Sequence, residues 1–201
     1  MEKLAETDYP IHDLLQRRWS PRAFSERPVP PETLRSLWEA ARWAASCFNE
    51  QPWSFLVATK EDPHEFSRLL SCLVEGNITW AQHAPVLMVS VAKTNFDHDG
   101  DLNPHAWHDV GQAVANLTVQ ATALGLFVHQ MAGILPDKIR ELYQIPDFYE
   151  PVAGIALGHA GNPDRLPDKL RQRELVKRTR KPIGEFVFTG RWGQASTIAK
   201  G

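Results

Sequence analysis

Two short stretches concentrate residue types that suit a flat, polar, phosphorylated ligand. Arg17-Arg18-Trp19-Ser20-Pro21-Arg22-Ala23-Phe24 sets cations and a hydroxyl on a turn, and Ala44-Ala45-Ser46-Cys47-Phe48-Asn49-Glu50-Gln51-Pro52-Trp53 sets small hydrogen-bonding residues at a helix end just before a strand. A phosphate monoester needs positive charge and several donors, and a guanidinium offers a planar fork that matches its oxygens. Arg18 and Ser20 lie two positions apart, Arg22 two further on, and Arg191 beside Gly190 is a candidate to close the other side. Taken alone, Arg17-Arg18 equally suits a solvated helix end.

The ring of such a ligand needs amide-type groups that both donate and accept along its polar edge, and Asn49, Gln51 and Asn77 are candidates. Asn49 also suits a helix cap, and Gln51-Pro52-Trp53 a plain turn into a strand. A redox-active ring further needs backbone N–H groups close to its reactive nitrogen, and small residues allow that approach. Met131-Ala132-Gly133, after a strand ending at Gln130, fits this need, and equally fits an ordinary strand-to-helix turn. Flavin mononucleotide (FMN) combines such a ring with a phosphate tail.

Other chemistries find less support. There is no Gly-x-Gly-x-x-Gly, no glycine-rich loop before Lys-Ser/Thr and no Gly-x-Ser-x-Gly elbow. Asp97 to His108 fails as a calcium loop, because its glycine is misplaced and its twelfth position is His108 rather than Glu. His105, His108 and Asp109 fall in a first helical turn, where surface or interface roles are commoner than metal ligation. His129, in a strand, reads as a packed, hydrogen-bonded histidine.

The elements that must position these residues follow from periodicity. The chain has 201 residues, 43% of them apolar, with a net charge of -2, which fits one domain with a real core and no basic nucleic-acid surface. Two cysteines, Cys47 and Cys72, make no disulfide framework or metal motif. The start lacks a basic, apolar leader, and no apolar run reaches the ~20 residues that span a bilayer, so a cytoplasmic protein is expected. Helices are predicted over 11–18, from Pro30 or Pro31 to about Ser46, over 63–74, 78–83, from Asn103-Pro104 to Leu124, and over 136–143. Strands are predicted over 53–59, 85–92, 126–130 and 152–157. Gly111, Ala115, Thr118 and Thr122 form a face of small residues on the longest helix, open to close approach by another helix. Residues 170–180 read as a charged spacer, and 185–192 as a final strand in a tail that reaches across to something. The order of elements reads as an α+β layer fold.

The segments 17–24 and 39–53, with Asp109-Val110-Gly111-Gln112-Ala113-Val114-Ala115-Asn116-Leu117 and Gln130-Met131-Ala132-Gly133-Ile134, resemble the FMN-dependent nitroreductase family over residues 11 to 193. The resemblance implies a three-layer α/β/α fold with a mixed, mainly antiparallel sheet, one domain spanning 1–201, and a homodimer with FMN sites at its interface. Residues 161–201 are then a tail swapped onto the partner subunit. By position, Arg18, Trp19, Ser20 and Arg22 match the family's first flavin-binding turn, Ser46, Cys47 and Asn49 its second, and Asn77 an amide at the ring edge. Met131, Ala132 and Gly133 match the loop beside the reactive nitrogen, and Arg191 a C-terminal phosphate ligand. The implied activity is reduction of FMN by NADH or NADPH, then of a small acceptor such as a nitroaromatic or quinone. A related flavoenzyme with another acceptor, and an FMN storage or sensor protein, are the alternatives. Many members have Pro-Ser-Ser at 45–47, an acidic residue at Ala132 and a lysine near Trp80. These departures leave nicotinamide preference and acceptor open.

Overall fold

The structure, a computed structural model, describes residues 3–199. Its centre is a four-stranded antiparallel sheet in the order β1-β2-β4-β3, with β1 Trp53–Thr59, β2 Val86–Lys93, β3 Phe127–Met131 and β4 Tyr149–Gly158. β2 and β4 are the inner pair, and a bulge on β4 shifts their register between Ser90 and Val91. Successive side chains on β2 point to opposite faces. Val86, Met88 and Ala92 enter one core and Leu87, Val89 and Val91 the other. With both faces covered, β2 reads as an unbroken apolar run rather than an alternating one.

Helices cover both faces, which makes the expected three layers. Leu34, Leu37 and Ala41 of α2 (Pro31–Arg42) and Val110, Val114, Leu117 and Ala121 of α5 (Ala106–Ala123) pack on one face. Phe66 and Leu69 of α3 (Pro63–Leu70), Trp80 and Ala81 of α4 (Glu75–Ala81) and Ile139 of α6 (Pro136–Tyr143) pack on the other. The short α1 (Asp13–Arg17) leads into the basic turn.

Local signals account for the helix ends. Asp62 accepts the N–H of Glu65, and Pro63 starts α3. Asn103 Oδ1 accepts the N–H of His105, so Asn103 leads into α5, which begins at Ala106, later than its sequence suggests. Gly125, at φ 72°, ends α5 and lets Leu126 N–H return to the Ala121 carbonyl at 2.8 Å, a closure that favours glycine. On α5 the small-residue face divides: Gly111 and Ala115 are exposed, while Thr118 and Thr122 are buried and donate to the carbonyls of Val114 and Thr118.

Two expectations for the tail are corrected. The charged spacer contains a helix, α7 (Asp168–Leu175). It has no apolar stripe, so hydrophobic periodicity gives it no signal. The final strand over 185–192 is not formed. Ile183–Glu185 is a 3-10 turn, and Phe188 pairs only as an isolated bridge with Ala195. Phe186, Val187 and Trp192 stay exposed, and the backbone of 186–187 is satisfied by the turn itself, through Ile183 O, and by Ser196 N–H rather than by a neighbouring strand.

Candidate functional site

The basic turn is shaped by alternation. Trp19, Ala23 and Phe24 are buried and anchor it, while Ser20 is exposed and Arg18 and Arg22 are half-buried. Trp19 meets the Phe127 ring edge-on at 5.9 Å, and Phe24 stacks on Trp80 at 6.3 Å. Backbone bonds from Ser25 N–H to His159 O and from Gly161 N–H to Ala23 O tie the turn to the end of β4. His129 of β3 adds a third tie, with Nδ1 2.8 Å from the Pro21 carbonyl and its ring 4.5 Å from that of Trp80. Burial lowers the His129 pKa to about 4, so the imidazole is neutral and Nδ1 is its donor. It is the packed histidine that the sequence indicates.

The tail completes this turn within the same subunit. Glu174 of α7 is only 2% exposed, and its carboxylate accepts the N–H of Arg22 at 2.9 and 3.1 Å and that of Ala23 at 3.1 Å. Lys3 Nζ donates to the carbonyls of Glu174 and Val176. Arg178 donates to the carbonyls of Arg18 and Gln16, the latter at 2.7 Å.

Between the turn and the tail lies a cleft of about 270 Å³, and seven of its eleven lining residues are cationic: Lys3, Arg18, Arg22, Arg173, Lys177, Arg178 and Arg180. Its one acidic residue, Glu174, is already engaged with backbone N–H groups. Arg18 donates to Ser20 Oγ at 3.2 Å. Its pKa is lowered by burial, then by the charges of Arg178 and Arg180. Two donors that border the cleft, Trp19 Nε1 and Arg178 Nε, are buried without partners. Clustered like charges and unpaired buried donors are both costly, and a multiply charged acceptor such as a phosphate would relieve both.

Asn77 and Gly133 form one unit at the same side of the sheet. Asn77 Nδ2 donates to the Gly133 carbonyl at 3.0 Å, and Val74 N–H donates to it at 3.1 Å. A Cβ on Gly133 would lie 2.5 Å from Asn77 Nδ2 and 2.7 Å from Val74 Cγ2, so a side chain here would displace the Asn77 amide and Val74. Met131 is buried and Ala132 exposed, which leaves the backbone of 132–133 near the surface.

The second turn is held differently. Cys47 N–H donates to Asp109 Oδ2 at 2.9 Å, and Gln51 N–H to Ser46 Oγ at 3.0 Å. Phe48, Asn49 and Gln51 all have positive φ, at 52°, 59° and 51°. Non-glycine residues rarely adopt this conformation, and it persists only where surrounding bonds enforce it. Asp109, buried on α5, is the main enforcer, and its other oxygen lies 3.1 Å from His108 Nδ1.

One subunit therefore brings Arg18, Trp19, Ser20 and Arg22 to the β3 edge with Asn77, Met131, Ala132 and Gly133. Ser46, Cys47 and Asn49 lead into β1, the opposite edge strand, three strand spacings away. At about 4.8 Å per spacing this is roughly 14 Å. Arg191 is exposed on a separate turn and does not line the cleft, whose tail cations are Arg173, Lys177, Arg178 and Arg180. Sequence reading missed these four, together with Glu174 and Asp109. Among the described residues no cluster of His, Cys, Asp and Glu is arranged to hold a metal ion, and no helix is long and apolar enough to cross a membrane.

Comparison with known proteins shows the family and the fold. A family model described as the nitroreductase family matches residues 15–159. A solved oxidoreductase containing FMN superposes with a TM-score of 0.88, at 38% identity, over 93% of this chain and 95% of its own. A nitroreductase family protein from Clostridium difficile superposes with a TM-score of 0.68, at 25% identity, over 89% of this chain and 96% of its own. An FMN reductase [NAD(P)H] of Bacillus subtilis is 25% identical, over 77% of this chain and 67% of its own length.

Proposed function

The chain belongs to the nitroreductase family, and from that membership and its cationic cleft we infer an FMN-dependent NAD(P)H oxidoreductase. The observation that carries this reading is the cleft itself, with seven cations and two unpaired buried donors, formed by a turn that packs on β3, the strand that runs on to Gly133. Arg18, Ser20 and Arg22 would hold the phosphate, joined by Arg178 and Arg180. Trp19 would support the ribityl chain through its indole N–H. The Asn77 amide uses one of its hydrogen-bonding groups on Gly133 and has others for the polar edge of the ring. The backbone of Met131, Ala132 and Gly133 would face the reactive nitrogen.

FMN held there would supply the redox chemistry, oxidation of NADH or NADPH and reduction of a small acceptor such as a nitroaromatic or quinone. The protein's part is binding, orientation and electrostatics, and no side chain is assigned as a catalytic acid or nucleophile. The distance between the two sheet edges favours a site completed by Ser46, Cys47 and Asn49 of a second subunit, in a homodimer. The exposed Gly111–Ala115 face of α5 and the apolar groups of 183–199 are the surfaces offered for that contact, with Arg191 carried on the latter. A cytoplasmic location follows from the reductant, which is supplied there.

Purified protein is expected to be yellow and to bleach when NADH or NADPH is added anaerobically. A colourless protein that cannot be reconstituted with FMN would contradict the cofactor, and retention of FMN without bleaching would point to storage or sensing.

A further inference from the structure

Beside the second turn lies a group of rings that the cofactor reading leaves unused. Phe48 is 81% exposed, yet its backbone is held at φ 52° with Cys47 and Gln51 bonded on either side of it. Its ring meets Phe96 edge-on at 5.9 Å and His98 at 5.9 Å, and Phe96 and His98 lie 5.2 Å apart. The loop carrying Phe96 and His98 is itself well tied. Asn95 pairs with Leu102, Phe96 N–H donates to Asp101 O at 2.8 Å, and Asn95 Nδ2 donates to Gly100 O at 2.6 Å. Glu50, in the second turn, accepts the N–H of Asp97 and so joins turn to loop. The rings are thus fixed before any ligand arrives, at the cost of a strained backbone and an exposed phenyl group.

We propose that Phe48, Phe96 and His98 form the seat of the electron acceptor, and that the acidic residues around them select neutral or cationic acceptors over anionic ones. The proposal rests on the flavoenzyme reading, because the seat adjoins the turn that carries Ser46, Cys47 and Asn49. Aromatic faces carry negative charge density, so they favour electron-poor or cationic rings. Nitroaromatics and quinones are electron-poor in this sense. Around the rings stand Glu50 and Asp97, which both pair with Lys93; Asp99, whose carboxylate lies 2.9 Å from His98 Nε2; and Asp101, whose carbonyl accepts the Phe96 N–H. The phosphate cleft has the opposite sign, so the two ends of the site sort ligands by charge: a phosphorylated cofactor at one, a ring without negative charge at the other.

The test uses three probes that share one ring: 4-nitrobenzyl alcohol, 4-nitrobenzoate and (4-nitrobenzyl)trimethylammonium. Their affinities for the oxidised full-length protein are read by saturation-transfer NMR, which needs no turnover. The neutral and cationic probes should bind about fivefold or more tighter than the anion at low salt, and the gap should narrow with added salt. Phe48→Asn keeps a residue that tolerates positive φ and removes the ring. It and Phe96→Ala should each weaken the neutral probe roughly three- to tenfold, while FMN affinity holds. Asp99→Asn with Asp101→Asn should shrink the charge preference alone. Unchanged probe affinity in both ring variants would overturn the proposal. So would a fall in mass by light scattering in those variants, which would assign the rings to a subunit contact. Bleaching by NAD(P)H is followed separately. Probe binding that depends on the rings in a protein that never bleaches would refute the oxidoreductase reading and reduce the rings to a binding site for neutral aromatic ligands, whereas bleaching with probe binding that ignores the rings would overturn the seat alone.

Discussion

Glu174 grips the backbone N–H of Arg22 with both carboxylate oxygens, at 2.9 and 3.1 Å, from 152 positions further along the chain. A nearly buried carboxylate is tolerable only with such donors, and here they belong to the turn that presents Arg18, Ser20 and Arg22. The shape of the phosphate cleft is thus set by the tail as much as by the turn. Glu174→Ala should lower stability by about 2–4 kcal/mol, since it strips acceptors from buried N–H groups. It should also weaken FMN at least tenfold. Urea unfolding and an FMN fluorescence titration check both, and wild-type values in either would show that the turn holds its shape unaided.

Arg18 should act through the phosphate alone. Arg18→Ala is expected to weaken FMN roughly 10- to 100-fold, the worth of a charge-assisted hydrogen bond. Riboflavin, which lacks the phosphate, should bind the wild-type protein and the variant alike. A variant that loses riboflavin as strongly as FMN would place Arg18 at the ring instead.

Asp109 should govern the second turn. Its bond to Cys47 N–H opposes the strain of three positive-φ residues. Asp109→Ala should cost about 1–3 kcal/mol and release the Cys47 amide to exchange with solvent. Hydrogen exchange at 46–51 reads this directly, and full protection in the variant would assign the strain to another support.

His129 gives a signed pH dependence. The unfolded chain takes up a proton on this ring near pH 6.5, the folded protein only near its lowered value of about 4. Stability present above pH 6.5 is therefore lost as the pH falls towards 4, by up to about 3 kcal/mol. His129→Gln should flatten that part of the Tm-versus-pH curve. If wild type and variant lose Tm in parallel from pH 7 to 4, the buried neutral state is wrong.

Removal of residues 183–201 should leave the cationic cleft intact and halve the mass seen by light scattering. Phe186, Val187, Trp192 and Ile198 are exposed in that segment, while Glu174 and Arg178 precede it. A truncated chain that keeps the wild-type mass would move the subunit contact to α5 alone.

The layers of the fold were legible because burial and periodicity agree in them. Leu34, Leu37 and Ala41 fall on one side of α2, and the apolar run of 85–92 is the doubly covered β2. α7 was not legible, because its docking depends on Glu174 and on backbone carbonyls that bind Lys3, not on an apolar stripe. The β-rich composition of 185–192 suggested a strand, but a strand needs a neighbour to pair with. At the site, residue types near 18–22 and 131–133 announced themselves. Asp109 left a fainter sign, an acid in register with the buried Ala106 and Ala113, which demands a buried donor. The tail arginines sat in a run of charge where no pattern separates the ones that face the cleft from the rest.

The dependence of the first turn on α7 also orders events during synthesis. Arg18 and Arg22 are made well before Glu174 and Arg178, which hold their turn. The cleft is therefore assembled only after α7 has been made. A chain that stops short of α7 would expose the basic turn without its clamp and fail to retain cofactor.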